Sequence, residues 1–328
     1  MIHIVGAGPA GSTAALAALG EGCEVRLAEK SIFPRHKVCG EFLSPEVEPI
    51  LRHLHAWEAF QAAGPSLIRR VALHFSHTGK NWALPEPAFG FSRYAMDHLL
   101  LNQALARGAT LVRETAEHPT APAILTYGRK SSAGKGHRLF GFKAHFRGPV
   151  TDVIDLFFQH GAYVGVNAVE DGMTNVCGLA PESALKDCGF HIDEFIRKSQ
   201  ALRARIAPLT RAMDWLVTGP LVFDNALHPA TRPGVYVAGD ALGFIDPFTG
   251  SGILAALLTG RLAGLAAARA TDGEAYLAEC RRTLGAQYGA AAIVRALIAN
   301  GAAEWLAQLL PGRWLFVLTR PRMRGIKL

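Results

Sequence analysis

An α/β fold, in which a doubly wound parallel sheet is interrupted by an antiparallel β-sheet and followed by a helical C-terminal region, is predicted by three features of the 328-residue chain. First, residues 1–11 (MIHIVGAGPAG) run from a short apolar strand straight into a G-x-G-x-x-G turn. Second, between residues 138 and 179 the pattern changes to successive strands with no helical spacing. Third, residues 234–240 (GVYVAGD) return to a short apolar strand closed by Gly-Asp.

The elements follow in order from their spacing. After the strand at 2–5, residues 12–19 read as a helix. Gly6 permits the tight turn, Gly8 lets the backbone approach phosphate, and Gly11 lets helix and strand pack closely, with Pro9 and Ala10 at the helix start. Free N–H groups of that helix face an anion, so the turn is a cradle for a nucleotide pyrophosphate. The next strand, 24–29, ends in Glu29, about eighteen residues past Gly11, where an acid suits a ribose 2′-hydroxyl. This unit fits NAD and FAD equally.

Residues 45–63 read as one helix with Leu51, Leu54, Trp57 and Phe60 toward the core. Strands follow at 67–75 and 82–84, then a helix at 93–107 with Leu99, Leu100 and Leu105 inward, and a strand at 110–113. The inserted sheet takes strands 139–147, 153–159, 162–169 and 174–179. Residues 191–213 read as helical, 220–223 as extended, and 251–310 as Ala-rich helix.

The second glycine cluster separates the two cofactors. Residues 241–252 lead from the Gly239-Asp240 strand end into a helix from Ile253, opening a second helix N-terminus roughly 230 residues after the first cradle. Its N–H groups suit electron-rich atoms such as the pyrimidine edge of a reduced flavin, and Asp240 suits ribityl hydroxyls. A simple NAD dehydrogenase has no need of this element, whereas the long FAD molecule does.

With these motifs the chain resembles the FAD-dependent monooxygenase and geranylgeranyl reductase-like flavoprotein superfamily, with the p-hydroxybenzoate hydroxylase type of fold. Residues 35–44 (RHKVCGEFLS) look like the family's K-x-C-G segment near the flavin, and 92–97 (SRYAMD) like its Arg-containing helix start. Gly239-Asp240 through Gly252 resembles the Gly-Asp motif with its following P-x-x-G-x-G. The resemblance implies a Rossmann-like FAD-binding domain in which Lys30, Arg35, Val38, Cys39, Gly40, Arg93, Ala116, Gly239, Pro247, Gly250, Ser251, Gly252 and Ile253 join the cradle in holding FAD. Arg35 and Arg93 are implied at the phosphates or adjoining atoms, and Asp240 at the ribityl chain.

Two departures stand out. The family's middle motif is an apolar strand followed by Asp-Gly-x-x-Ser, but here Tyr127 replaces the acid ahead of Gly128, and the stretch between Arg113 and Ile124 lacks a hairpin. Direct reduction by NADPH or NADH, the candidate electron donors, is thereby put in question. The Trp-rich motif of flavin-dependent halogenases is also missing, with residues 161–167 (GAYVGVN) in its place, which disfavours halogenation.

Composition sets the outer bounds. Half of the residues are hydrophobic and 34 are glycine, which suits a globular protein of about two domains with close backbone approaches to a ligand. Five cysteines form no C-x-x-C pair, the histidine pairs His53/His55 and His74/His77 lack partner ligands, and no metal site is expected. A cytoplasmic location is the default, since no secretory segment opens the chain. The formal charge of +7 suits an anionic cofactor, and the tail, with Arg313, Arg320, Arg322, Arg324 and Lys327 around residues 314–318, suits peripheral membrane contact. Nucleic acid is not an expected partner, and the sequence leaves the oligomeric state open.

The expected organisation is a discontinuous FAD-binding domain of 1–65, 88–128 and 230–270, a β-rich substrate domain of 66–87 and 129–229, and a helical region of 271–328. Phe140, Phe142, Phe157, Phe158 and Tyr163 are expected to roof a site for a hydrophobic aromatic, polyketide or isoprenoid-like molecule. Because the flavin carries the hard step, few catalytic side chains are needed. Cys39, His145 and His160 are the candidates, each with a packed or surface role as the alternative. The expected function is FAD-dependent monooxygenation or reduction/dehydrogenation, and the alternative is a flavin-binding protein without turnover.

Overall fold

The computed structural model describes residues 1–115, 119–129, 138–159, 161–221, 227–244, 250–285 and 304. The expectations for Ala116, His160, Pro247 and the basic tail lie outside these residues.

A five-stranded parallel sheet forms around the glycine turn. Its strands are β1 (Ile2–Val5), β2 (Val25–Ala28), β6 (Thr110–Val112), β7 (Ala123–Leu125) and β14 (Val235–Val237), in the order β14-β7-β1-β2-β6. Each is three or four residues long, and all but the edge strand β6 are mostly buried, as expected of a parallel sheet covered on both faces. Helices α1 (Pro9–Gly20), α4 (Arg93–Ala106) and α8 (Gly252–Ala268) cover it with α2 (Val47–His53) and α3 (Trp57–Ala62). Together they enclose one core that includes Ile4, Leu27, Leu51, Phe60, Phe91, Met96 and Leu257.

Helices α1 and α8 are hydrophobic on all sides and rich in small residues, so their backbones come close. A Cβ on Gly260 would stand 2.3 Å from the Ala10 carbonyl oxygen, and one on Gly264 would stand 2.4 Å from that of Ala14. The Gly-x-x-x-Gly spacing, on one helical face, makes that approach possible.

The second sheet has nine strands among the described residues: β3 (Phe42–Leu43), β4 (Ser66–His74), β5 (Gly79–Gly90), β8 (Leu139–Arg147), β9 (Val153–Gln159), β10 (Ala162–Ala168), β11 (Met173–Pro181), β12 (Thr210–Arg211) and β13 (Leu216–Leu221). It is mixed rather than wholly antiparallel, because β4 pairs with β9 in parallel. The β5 strand and the short β3 reach into segments that the sequence assigns to the cofactor unit.

Three local expectations are corrected. The single helix at 45–63 is two, broken where His55 adopts φ 48°, a left-handed conformation that ends α2. The helix at 191–213 is likewise α6 (Ile192–Arg197) and α7 (Gln200–Ile206), with Ser199 capping the second, and its end is replaced by β12. On α4 the buried leucines are Leu100 and Leu101, while Leu99 and Leu105 are only half-buried. The α5 helix (Glu182–Lys186) packs with α6 and α7 on one face of the second sheet. That face takes Phe142, Phe146 and Phe157 into its core, so these aromatics do not roof a ligand.

Residues 273–285 are helical, as expected, and Glu304 accepts a hydrogen bond from the Thr78 hydroxyl at 3.1 Å. Among the described residues, no helix is long and apolar enough to cross a membrane, and no group of three or more His, Cys, Asp and Glu is placed to hold a metal.

Candidate cofactor and active site

The glycine turn is held from behind. Gly6 has φ +98°, and a Cβ there would lie 2.5 Å from the Thr126 carbonyl oxygen; a Cβ on Gly11 would lie 1.8 Å from that of Gly6. Gly8 is different. Its Cβ would meet only an Arg93 guanidinium nitrogen at 3.9 Å, so its outer face is open backbone available to a ligand. Glu29 braces the turn, its carboxylate accepting from the amides of Ala7 at 2.9 Å and Ser31 at 2.7 Å. Burial alone would raise its pKa, but those two N–H donors and the charge of Arg35 hold the carboxyl below its ordinary range.

Three helices begin near this turn, and their N-termini are treated unequally. Helix α4 is closed by acids and a cap: Ser92 N–H donates to Glu170 at 2.7 Å, Arg93 N–H to Glu41 at 2.7 Å, and Ala95 N–H to the Ser92 hydroxyl at 3.0 Å. Among the described residues, helices α1 and α8 have neither a side-chain cap nor an acid in the first turn. Their positive ends are left for something else. Gly239 lies between them, its Cβ position 2.9 Å from Ala10 and 3.9 Å from Ala256, and it sets Asp240 beside both.

Asp240 is reached by solvent yet walled in by protein, so loss of hydration raises its carboxyl pKa against the pull of Arg93, Lys37 and Arg129. That combination describes a cleft. Arg93 reaches into it on a two-point ion pair with the buried Asp97, at 2.5 and 2.7 Å. Lys37 stands on the opposite wall, its Nζ 3.9 Å from a Cβ on Gly128. Burial holds its ammonium pKa down to about 8, with Arg93 and Arg35 adding repulsion and Asp97 and Asp240 opposing it. Arg129 donates to the Pro220 carbonyl at 3.0 Å, which ties the middle motif to β13. Arg35 lies over the Phe33 ring, and its buried Nε has no hydrogen-bond partner among the described residues.

A second cluster lies where the 35–44 segment meets β8. Glu41 has φ 53° and is fully buried; its carboxylate takes the Lys143 ammonium, the His145 Nε2 at 2.6 Å and the Arg93 amide. Burial works against its charge, but His145 and Lys143 more than offset it, and the carboxyl is held below its ordinary range. A non-glycine residue in this backbone conformation persists only when its surroundings over-determine it. Asn175 on β11 adds two bonds, to the carbonyls of Cys39 at 3.1 Å and Gly40 at 2.9 Å. His36 stacks on Tyr94 and meets His145 edge-on.

The residues nominated from sequence therefore fall into groups. Gly8, Arg35, Cys39, Gly40, Arg93, Gly239, Asp240, Ser251, Gly252 and Ile253 flank the cleft or the helix starts beside it, with Gly250 packed on the Phe42 ring. Lys30 points to solvent, and Val38 packs under Gly141, where a Cβ would lie 3.0 Å from its Cγ1. Cys39 is a free thiol whose pKa burial raises, which keeps it neutral and argues for packing over nucleophilic attack. His145 is an ion-pair partner of Glu41. His53 and His74 have structural partners in Arg261 and Asp155. Sequence reasoning missed Lys37, Glu41, Asp97 and Lys143; a lysine and a histidine on alternate positions of an otherwise apolar β8 were the available signal.

No protein-family model matches the chain. It is similar to a tryptophan 2-halogenase of Chondromyces crocatus, 25% identical over 331 residues, covering 84% of this chain and 62% of that protein. It thus spans about three fifths of that halogenase's length. It is also similar to digeranylgeranylglycerophospholipid reductase 2 of Methanopyrus kandleri, 26% identical over 321 residues, covering 83% of this chain and 77% of the reductase. Among solved structures, a flavoprotein/dehydrogenase from Cytophaga hutchinsonii has a TM-score of 0.79 at 16% identity, covering 97% of this chain and 91% of that one. A halogenase solved with phloroglucinol and FAD shares the fold at a TM-score of 0.69 and 14% identity, covering 91% and 77%. Lack of a Trp-rich segment does not, then, remove the chain from the company of halogenases. Its homologues and structural neighbours are flavin-dependent halogenases and geranylgeranyl reductase-like flavoproteins, which matches the FAD-dependent monooxygenase and geranylgeranyl reductase-like superfamily that its motifs resemble.

Proposed function

We propose that the protein is an FAD-dependent oxidoreductase that turns over a small hydrophobic substrate between the flavin and the second sheet. The observation that carries this reading is the unequal treatment of helix N-termini: α1 and α8 are left uncapped beside one cleft, while α4 next to them is closed. A dinucleotide fits this arrangement. The open face of Gly8 and the α1 N–H groups receive pyrophosphate, Glu29 the ribose, Asp240 the ribityl hydroxyls and the α8 N-terminus the pyrimidine edge.

Bound FAD supplies two-electron transfer. The chain supplies orientation and dryness. Leu156, Phe158 and Tyr163 lie half-buried on the face of the second sheet opposite its helix-covered core, and they offer an apolar wall suited to an aromatic, polyketide or isoprenoid-like molecule. Glu41, Lys143 and His145 fix the Cys39-Gly40 backbone against that sheet, which sets the gap that a substrate enters.

Reduction of the substrate is the first reading, because similarity to the reductase runs over 77% of that enzyme. Halogenation is the second, favoured by the halogenase match over 84% of this chain. The test is an anaerobic NADPH titration of the purified protein followed by visible absorption, then turnover assays with an isoprenoid alkene, and with an aromatic acceptor plus bromide and oxygen, read by mass spectrometry. Bleaching followed by a product two hydrogens heavier supports reduction, and a brominated product supports halogenation. Protein that neither carries nor takes up flavin defeats both.

A further inference from the structure

Four cations converge on the cleft: Arg35, Lys37, Arg93 and Arg129. Asp97, Asp240 and Glu29 face them, and Asp97 is already used, being bound at two points by Arg93. Asp240 remains for Lys37 and Arg129, Arg35 faces Glu29, and the bare backbone of Gly8 lies beside the Arg93 guanidinium. Such an excess of positive charge in a partly dehydrated cleft is costly until an anion enters. Three of the four are arginines, which hold their protons at all working pH values, so Lys37 alone can relieve the repulsion by losing one.

We infer that Lys37 is a cofactor-phosphate ligand that takes up a proton as FAD binds, making flavin affinity proton-linked. This rests on the FAD reading above. With the cleft empty, burial and the neighbouring Arg93 and Arg35 hold Lys37 down to about 8, Asp97 and Asp240 opposing them. A pyrophosphate placed beside it favours the charged form and raises that value. The sign follows: below pH 8 Lys37 is charged in both states and no proton moves. Above it the free protein has lost the proton that the complex keeps, so binding takes one up and weakens by about tenfold per pH unit. Cys39, His36 and Glu41, titratable groups on the same segment, are shifted away from this window, Cys39 upward and His36 and Glu41 downward.

The experiment is calorimetric titration of FAD into the full chain stripped of flavin, at pH 7 and pH 9, each in two buffers of different ionisation heat, with Lys37→Arg and Lys37→Met alongside. Wild type should take up a proton at pH 9 and none at pH 7. Lys37→Arg should bind equally at both with no uptake, and Lys37→Met should bind weakly and independently of pH. FAD binding without proton uptake in wild type overturns the inference, as does uptake that persists in Lys37→Arg. Failure of wild type to bind FAD at either pH overturns the flavin reading itself, and the inference with it. Circular dichroism confirms that each variant is folded, and the Arg variant, which keeps the charge in a half-open position, retains the test if the Met variant does not fold.

Discussion

Lys143 and Glu41 form a wholly buried ion pair across the seam between the cofactor segment and β8, and neither side chain is reached by solvent. Removing one partner strands the other's charge. Glu41→Gln and Lys143→Met should each cost roughly 3–5 kcal/mol, while the double variant should recover much of that loss. Urea unfolding of the four proteins checks it; equal and additive losses would show that the two residues do not act as a pair.

The acid side of the stability profile should depend on Glu29 and Glu41. Both carboxyls are held below their ordinary range in the fold, so their stabilisation is complete above the range of an unfolded carboxylate and is lost as pH falls through the lowered folded values. Wild type should therefore lose stability below about pH 4, and Glu41→Gln should show a shallower acid slope from a lower starting point. Denaturant midpoints at pH 7, 4 and 3 give both slopes.

Two glycines three residues apart, Gly8 and Gly11, should behave oppositely. Gly8→Val places its side chain in open space and should fold, yet lose flavin by blocking the phosphate approach. Gly11→Ala drives a Cβ to 1.8 Å from the Gly6 carbonyl oxygen and should lose fold and flavin together. Flavin stoichiometry beside circular dichroism separates the two, and a folded Gly8→Val protein with full flavin would remove Gly8 from the cradle.

Gly264→Val should open the α1–α8 contact, because its Cβ would lie 2.4 Å from the Ala14 carbonyl oxygen, at a cost of about 1–3 kcal/mol or more. Gly20→Ala, with nothing within 4 Å of its Cβ, is the matched control and should be close to neutral. Thermal unfolding of both measures the difference.

What the sequence made legible was local. The strand, turn and helix of residues 1–20, and the strand before Asp240, are written in adjacent positions, and Gly6 and Gly11 hold the close backbone contacts that their spacing suggests. The seam was not legible, because Glu41 meets Lys143 and His145 across 102 and 104 positions. Lys37 was legible as the lysine of the K-x-C-G segment, but its place beside Gly128 was not. The expected aromatic roof failed for a related reason: alternation says that Phe142 and Phe157 share a face with other apolar residues, but not which face the α5–α7 helices cover.

The close seating of α8 on α1 also governs when the cleft comes into being. The first cradle is complete by residue 20, but the strand and helix that face it are residues 235–268, and the Gly260 and Gly264 contacts belong to that late piece. A chain emerging from the ribosome must hold a half-made sheet, its β7 edge not yet paired with β14, until residues 235–237 have been synthesised. Flavin capture therefore waits on residues 235–268, and the apoprotein's exposure to misfolding is set by the time taken to reach α8.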